Sequence, residues 1–230
     1  MKFAINRDHR DQFREHQAIE CEGLLSPEEI SELLKAVDAG LALRLRIKPS
    51  ELVKQSSERI FSVGRDLWRV APPIKKVVMQ SRFAEIAADL AEQRMLRLGY
   101  DQFFPSIEPS PIQEKGGYFS LLQQASSLTE VSCLQGITGG LLLCLSGESP
   151  SSQSTIFPSR PGNGVFFKAG AAIPFPQLNT HPQKHLLIVY TQATAVYVHR
   201  DKDPLAHVFK SVGYTYGDKL VDKWNPIVYR

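Results

Sequence analysis

The sequence is poor in cysteine and has no cysteine motif. Its three cysteines stand apart at Cys21, Cys133 and Cys144. The absence of any Cys-x-x-Cys pair excludes a zinc ribbon or a dithiol redox site built on that motif. An odd number of cysteines with apolar neighbours predicts reduced, buried thiols in a cytoplasmic protein.

Long apolar segments and strong charge are also absent. The longest apolar run, around residues 139–145, is far shorter than the roughly 20 residues that a transmembrane helix needs. The first residues lack the apolar core of a secretory signal, so we expect no membrane association. Lys and Arg number 27 against 24 Asp and Glu, a net charge of +3 without a basic tract, so nucleic-acid binding is not expected either.

The bulk composition is that of an ordinary globular domain. Hydrophobic residues make up 43% of the 230 residues and charged residues 22%. A chain of this length can bury one sizeable core, and no linker separates two apolar regions. We therefore expect a single domain over residues 1–230.

The first half of the chain carries helix signals. Ser26 and Glu29 have the spacing of a capping box, and Pro27 falls at the first helical position. These signals predict a helix that ends at Gly40. Residues 41–47 alternate apolar and basic side chains, which predicts a strand.

The second half carries strand and turn signals instead. Strands are predicted near residues 118–123, 129–135, 140–145, 164–168, 185–192 and 193–199. The glycines at 136–140 have the wrong spacing for a phosphate loop and predict a bulge or a close strand crossing. Helices followed by strands predict an α+β fold, with a cupin-like jelly roll (a double-stranded β-helix) as its core and the N-terminal helices packed on it.

The most informative segment is Ser81–Phe104. Apolar side chains at Phe83, Ile86 and Leu90 follow helical spacing, and the serine that opens the segment is a fair N-cap. Residues 96–99 then alternate in the manner of a half-buried strand. The segment therefore predicts a helix that leads directly into a core strand.

This segment resembles the helix and strand that precede the metal-binding strand in the phytanoyl-CoA dioxygenase family. Residues 23–29 and 161–167 resemble the same family, and the resemblance spans about residues 13–217. Members of the family use Fe(II) and 2-oxoglutarate. The resemblance implies the jelly-roll fold, but fold alone does not give function.

The resemblance also implies where metal ligands would lie, and the sequence lacks them there. The family holds iron with two histidines and one carboxylate. The His-x-Asp pair aligns with Gln124 and Ser126, and the distal histidine falls in residues 171–176, which contain no donor. No histidine occurs from Pro72 to Thr180. The arginine that binds the far carboxylate of 2-oxoglutarate in the family is replaced by Lys184. Lysine keeps the positive charge but lacks the planar guanidinium that binds a carboxylate through two hydrogen bonds.

These departures predict a non-catalytic protein on a dioxygenase fold, with no cofactor. We expect it to bind a small molecule or a protein partner. A small acid is one candidate ligand, with Gln124, Ser126 and Lys184 as pocket residues. The alternatives are an active oxygenase with displaced ligands and a metal-responsive DNA-binding regulator. The regulator is supported only by the mild basic charge.

Displaced ligands would have to come from the remaining histidines. His199, Asp201 and His207 form the best rival metal cluster, provided that the chain turns at Pro204. The triplet His9-Arg10-Asp11 lies before any core strand. A solvated surface position explains it better than metal binding does. His181 and His185 have a spacing that suits a metal on a helix, but a proline separates them and a strand follows. The aromatic residues of segment 213–218 predict packing of a C-terminal tail on the barrel.

Overall fold

A computed structural model describes residues 5–106, 121, 124–147, 156–176 and 183–230. The helices in these ranges are α1 (Arg7–His16), α2 (Pro27–Leu45), α3 (Ser57–Ser62), α4 (Pro72–Val78), α5 (Ser81–Ala91), α6 (Leu128–Val131) and α7 (His207–Ser211). The strands are β1 (Ala18–Cys21), β2 (Leu96–Phe104), β3 (Leu134–Ser146), β4 (Gly164–Lys168), β5 (Lys184–Tyr197) and β6 (Ile227–Tyr229). Two 3-10 helices cover Pro49–Lys54 and Leu67–Arg69.

The strands form one antiparallel sheet in the order β1-β4-β3-β5-β2-β6. The 14-residue β5 lies between β3 and β2 and pairs with both. At its beginning, His185 lies opposite Cys144 of β3 and Phe104 of β2. These three neighbours define one end of the sheet.

The two faces of the sheet have different coverings. Even-numbered residues 186–190 of β5 join the cluster formed with α2, α4 and α5, and we call this side the helical face. Residues 187 and 189 point the other way, toward a cluster with residues 128–134, 156–157, 171–175 and 205–220, and we call this side the inner face. Helices packed on an antiparallel sheet confirm the α+β prediction. The complete two-sheet jelly roll stays a prediction.

Helix α2 begins as predicted but ends later. The Glu29 amide donates to Ser26 Oγ at 3.2 Å, the Ser26 amide donates to Glu29 Oε2 at 2.8 Å, and Pro27 opens the helix. The predicted end at Gly40 and the strand at 41–47 are wrong, since the helix continues to Leu45. Its last turn is held by tertiary contacts, because Arg44 donates to backbone carbonyls of the loop before Leu67.

Two further boundaries differ from the sequence prediction. Residues 128–131 form α6 rather than a strand, because Ser127 and Glu130 make a capping box. The two strands predicted at 185–192 and 193–199 are one strand, β5, whose far end is held by β3 and by an isolated bridge between Val196 and Lys219. The predicted strand at 118–123 lies outside the described residues except for its residue 121.

The glycine pair in β3 marks a close strand contact, as predicted. A Cβ at Gly139 would collide with the backbone carbonyl of Phe167 on β4, and one at Gly140 would lie 2.7 Å from the Phe167 ring. The register of β3 against β5 also shifts around residues 135–139. Glycine is therefore required here by space, because β4 crosses too closely for a side chain.

All three cysteines are buried and unpaired, which confirms the predicted free thiols. Burial raises the pKa of the Cys144 thiol to about 11 and that of Cys21 to about 12. None of the helices in the described ranges has both the length and the apolar character that crossing a bilayer requires.

Candidate functional site on the inner face

Ser126 and Ile173 bring together the two segments in which the resemblance places metal ligands. Their backbones form an antiparallel bridge, with N–H to O distances of 3.1 and 3.0 Å. Both residues are buried, with Ser126 5% exposed and Ile173 4% exposed. The side chains at this junction are a hydroxyl and an alkyl group, and neither is a good iron ligand.

Gln124 and Lys184 lie in different surroundings. Gln124 is exposed. Lys184 has the strand parity of Leu186 and Ile188, which places it on the helical face, and its charge acts there on Asp38 of α2. Burial raises the pKa of Asp38, and the nearby Lys184 partly offsets this rise. The structure therefore separates Lys184 from the junction of Ser126 and Ile173.

His185 is the residue at the start of β5 that faces inward. Its side chain is fully buried and its ring centre lies 5.9 Å from that of Phe157. Among the described residues, neither ring nitrogen has a hydrogen-bond partner. Burial lowers the pKa of His185 to about 3, so the ring is neutral at neutral pH. A neutral imidazole therefore occupies the inward position beside the predicted cation.

Aromatic rings lie around His185. The rings of Phe104 and Phe175 stack with their centres 6.2 Å apart, and those of Phe61 and Phe104 are tilted at 5.6 Å. Cys144 lies opposite His185 on β3 and is also fully buried. The described residues at this end of the inner face are apolar or neutral, and none of them offers a charge to an anionic ligand.

A buried ion pair occupies the middle of the inner face. Arg65 Nη1 lies 2.8 and 2.9 Å from the two carboxylate oxygens of Asp203, and both side chains are at most 4% exposed. Arg65 also donates to Gln102, and its guanidinium lies 4.3 Å from the centre of the Tyr100 ring. Asp203 accepts backbone amides from Cys133 and Leu205 at 2.8 and 2.9 Å.

Electrostatics keep both members of this pair charged. Burial alone would lower the pKa of Arg65, but the carboxylate of Asp203 outweighs it and raises the pKa. Burial would likewise raise the pKa of Asp203, and Arg65 lowers it below its usual range. The positive charge of Arg65 is therefore already neutralised by a carboxylate of its own chain. An acidic ligand on this face would need a cation that has no such partner.

A second charged cluster lies on the helical face of β2. Asp101 is fully buried and accepts the Leu67 and Trp68 amides at 3.1 and 3.2 Å, which caps the 3-10 helix that follows Asp66. Burial and the neighbouring carboxylate of Asp66 raise the pKa of Asp101 to about 7. Asp66 itself adopts a left-handed conformation with φ 58° and donates its amide to the Asp101 carbonyl.

The remaining histidines do not assemble a metal site in the described part of the chain. His199 Nε2 lies 2.7 Å from Asp201 Oδ1, but His207 lies on α7 and joins no cluster with them. Asp11 pairs with arginines of its own helix, and His9 caps that helix at Asn6. His181 lies outside the described residues. No group of three or more His, Cys, Asp or Glu side chains in the described ranges could hold a metal.

The sequence patterns gave no indication of Arg65 or Asp203, and they indicated His185 only as a possible metal ligand together with His181. Strand parity could have identified His185, because it alternates with the apolar residues that face the helices. Arg65 and Asp203 carried no such signal, since they lie in loops separated by more than half the chain.

Comparisons with known proteins support the fold. No family model and no curated protein matches the chain. Among solved structures, the α-ketoglutarate-dependent carbocyclase SnoK from nogalamycin biosynthesis has a TM-score of 0.63 and 14% identity, over 97% of this chain and 96% of SnoK. The epimerase SnoN of the same biosynthesis has a TM-score of 0.58 and 17% identity, over 95% and 96%.

A third similar structure is CytC3, with a TM-score of 0.56 and 12% identity over 86% of this chain and 81% of CytC3. CytC3 is also known with Fe(II) and α-ketoglutarate, which is another name for 2-oxoglutarate. At these identities the likeness concerns the fold. The chain therefore has the fold of iron- and 2-oxoglutarate-dependent enzymes, while its place in the phytanoyl-CoA branch remains a prediction.

Proposed function

We propose that this protein is a non-catalytic member of the dioxygenase fold that acts as a binding module. The observation that carries the proposal is the junction of Ser126 with Ile173. It joins the two segments that would carry an iron site and presents a hydroxyl and an alkyl group. The residues of this site do not fit a two-histidine, one-carboxylate iron centre.

The inner face also disfavours 2-oxoglutarate as a ligand. A dicarboxylate needs cations, and the buried Arg65 is already neutralised by Asp203. Lys184 is directed to the helical face, and the inward residue beside it is the neutral His185. We therefore narrow the expected ligand from a small acid to a neutral molecule with an aromatic or apolar body. It would take one hydrogen bond from or to His185.

Anaerobic calorimetry with Fe(II) tests the proposal. We expect no stoichiometric binding at micromolar affinity, with or without 2-oxoglutarate. The alternative, an active oxygenase with displaced ligands, predicts succinate release from 2-oxoglutarate in the presence of iron. Tight uptake of one iron per chain, or succinate above a control without protein, would overturn the non-catalytic assignment.

Thermal-shift screening of neutral aromatic compounds tests the ligand class. A ligand of the inner face should raise the melting temperature of the wild-type protein and lose this effect in His185→Leu. The same compound should still stabilise Lys184→Met, because that side chain lies on the other face. If the rise in melting temperature were lost in Lys184→Met and kept in His185→Leu, the neutral ligand class would be contradicted and a small acid bound by Lys184 would be favoured again.

A further inference from the structure

Three polar side chains form a relay at the far end of β5 from His185. His199 Nε2 lies 2.7 Å from Asp201 Oδ1, and His199 Nδ1 lies 3.1 Å from the hydroxyl of Tyr216. In the tautomer that donates from Nε2 to the carboxylate, Nδ1 carries a lone pair that can accept the proton of Tyr216. A nucleophile bonded to a base, with the base oriented by a third group, is the arrangement that activates hydroxyl nucleophiles.

The loop that carries Tyr216 is fixed to the sheet. The Gly217 amide donates to the Tyr197 carbonyl at 2.8 Å, and the Tyr197 amide donates to the Asp218 carbonyl at 2.9 Å. Thr215 and Asp218 close the turn with a further pair of hydrogen bonds, and Gly217 supplies the required φ of 97°. The loop therefore holds the tyrosine in one place.

Tyr216 is packed on one side and open on the other. Its ring lies 4.8 Å from that of the fully buried Tyr197, whose hydroxyl donates to the Ala206 carbonyl at 2.7 Å. Tyr216 is nonetheless 39% exposed, so part of the residue is open to solvent. This combination of support and access suits a reacting group better than a purely structural tyrosine.

A cation lies beside the relay and indicates the class of substrate. Lys210 Nζ is 4.3 Å from the centre of the Tyr216 ring. The exposed Arg200 and Lys202 flank Asp201 in the chain, and Lys202 lies 4.0 Å from Glu130. The ammonium group of Lys210 would offset negative charge on a group that approaches Tyr216. A phosphoryl group fits this setting better than a neutral ester does.

We propose that Tyr216 is a nucleophilic tyrosine that accepts a phosphoryl group from an activated phosphate ester, with His199 as general base and Asp201 as positioning residue. The Tyr216 oxygen attacks phosphorus, and the bond from phosphorus to the leaving oxygen breaks. The phenolic proton passes to Nδ1 of His199 and then to the leaving alkoxide or aryloxide. The products are phosphotyrosine and the free alcohol or phenol, so no further reactant is needed.

The test uses p-nitrophenyl phosphate with the full-length protein. We expect release of up to one equivalent of nitrophenol and phosphate on Tyr216 by peptide mass spectrometry. Tyr216→Phe should abolish both signals, and His199→Gln should slow labelling about 100-fold, a typical contribution of a general base. Tyr229→Phe is the matched control and should label Tyr216 at the wild-type rate.

Two variant pairs separate chemical from structural roles. Asp201→Asn should slow labelling at least about tenfold while Asp201→Glu retains most of the rate, because only the carboxylate holds the required tautomer. Lys210→Met should slow labelling, whereas Lys223→Met should not, although Lys223 lies over Trp224 in the same way at 4.4 Å. All variants are compared at equal folded fraction, measured by denaturation.

Three outcomes would overturn the proposal. They are the absence of phosphate on Tyr216, labelling of Tyr229 to the same extent, and wild-type rates in His199→Gln. Equal labelling of Tyr216 by the neutral ester p-nitrophenyl acetate would overturn the phosphoryl assignment specifically.

Discussion

Replacing His185 with leucine removes two buried nitrogens that have no hydrogen-bond partner in the described part of the chain. Leucine has a similar volume and suits the aromatic surroundings of this position, namely Phe104 and Phe157. A buried polar group without a partner costs about 1–3 kcal/mol. We therefore expect His185→Leu to raise the free energy of unfolding at pH 7 by about 1–3 kcal/mol.

The effect should grow on acidification. The folded pKa of His185 is about 3 and its ordinary value is 6.5, so between these pH values the unfolded chain binds a proton that the folded chain does not. Stability from this residue is thus present above pH 6.5 and lost as the pH falls toward 3. The loss is about 1.4 kcal/mol per pH unit, so the advantage of the variant should increase by about 2 kcal/mol from pH 7 to pH 5.

Urea denaturation of both proteins at pH 7 and pH 5 measures this difference. Other titrating groups are common to both proteins and cancel when their unfolding free energies are subtracted. The same substitution at the exposed His207 is the control and should change stability by less than about 0.5 kcal/mol. A variant destabilised by more than 1 kcal/mol at pH 7, or an advantage that does not change between the two pH values, would refute the reasoning.

Three further predictions concern Asp203, Asp101 and Gly139. Asp203→Asn leaves the charge of Arg65 uncompensated and should cost about 3–5 kcal/mol in chemical denaturation, with much of the loss recovered in the double variant with Arg65→Met; equal losses in both would contradict this. The pKa of Asp101 is near 7 in the folded protein, above its value in the unfolded chain. Its contribution to the free energy of unfolding is therefore fully present below about pH 4 and is lost as the pH rises to 7. The free energy of unfolding of the wild type relative to that of Asp101→Asn should therefore fall over that range in urea titrations. A rise over the same range would contradict the prediction. Gly139→Ala should lower the melting temperature strongly, at a cost of about 2 kcal/mol or more, because β4 leaves no room for a Cβ. Gly170→Ala, whose added Cβ meets no described atom within 4 Å beyond its chain neighbours, is its control and should melt like wild type.

Local signals in the sequence predicted the elements that depend on local chemistry. The capping box at Ser26 and the apolar spacing of Phe83, Ile86 and Leu90 each predicted a helix, and these three apolar side chains are buried. The predicted N-cap at Ser81 is wrong, since Ser81 is the first residue of α5 and Gln80 is its N-cap. The glycines near 139 correctly indicated a close crossing. These features are set by a few neighbouring residues, so a sequence pattern carries them.

Features set by distant contacts could not be predicted in the same way. Helix α2 extends past Gly40 because Arg44 binds carbonyls of a loop some twenty residues away. The pairing of Arg65 with Asp203 depends on two loops that meet only after folding. The relay at Tyr216 likewise joins the end of β5 to a later turn, and only its His-x-Asp part was visible in the sequence.

The strand order has a consequence for how the protein is made. Among the described strands, β1, β2 and β3 do not pair with one another. Each pairs only with β4, β5 or β6, which lie later in the chain. A ribosome that has synthesised residues 1–163 has therefore released helices and three strands but no ladder between them. We expect such a nascent chain to expose unpaired strand edges until β5 emerges and joins β3 to β2. The fold is thus completed from its C-terminal half, and a truncation that removes β5 and the residues after it should leave β1, β4 and β3 paired but β2 without a partner strand.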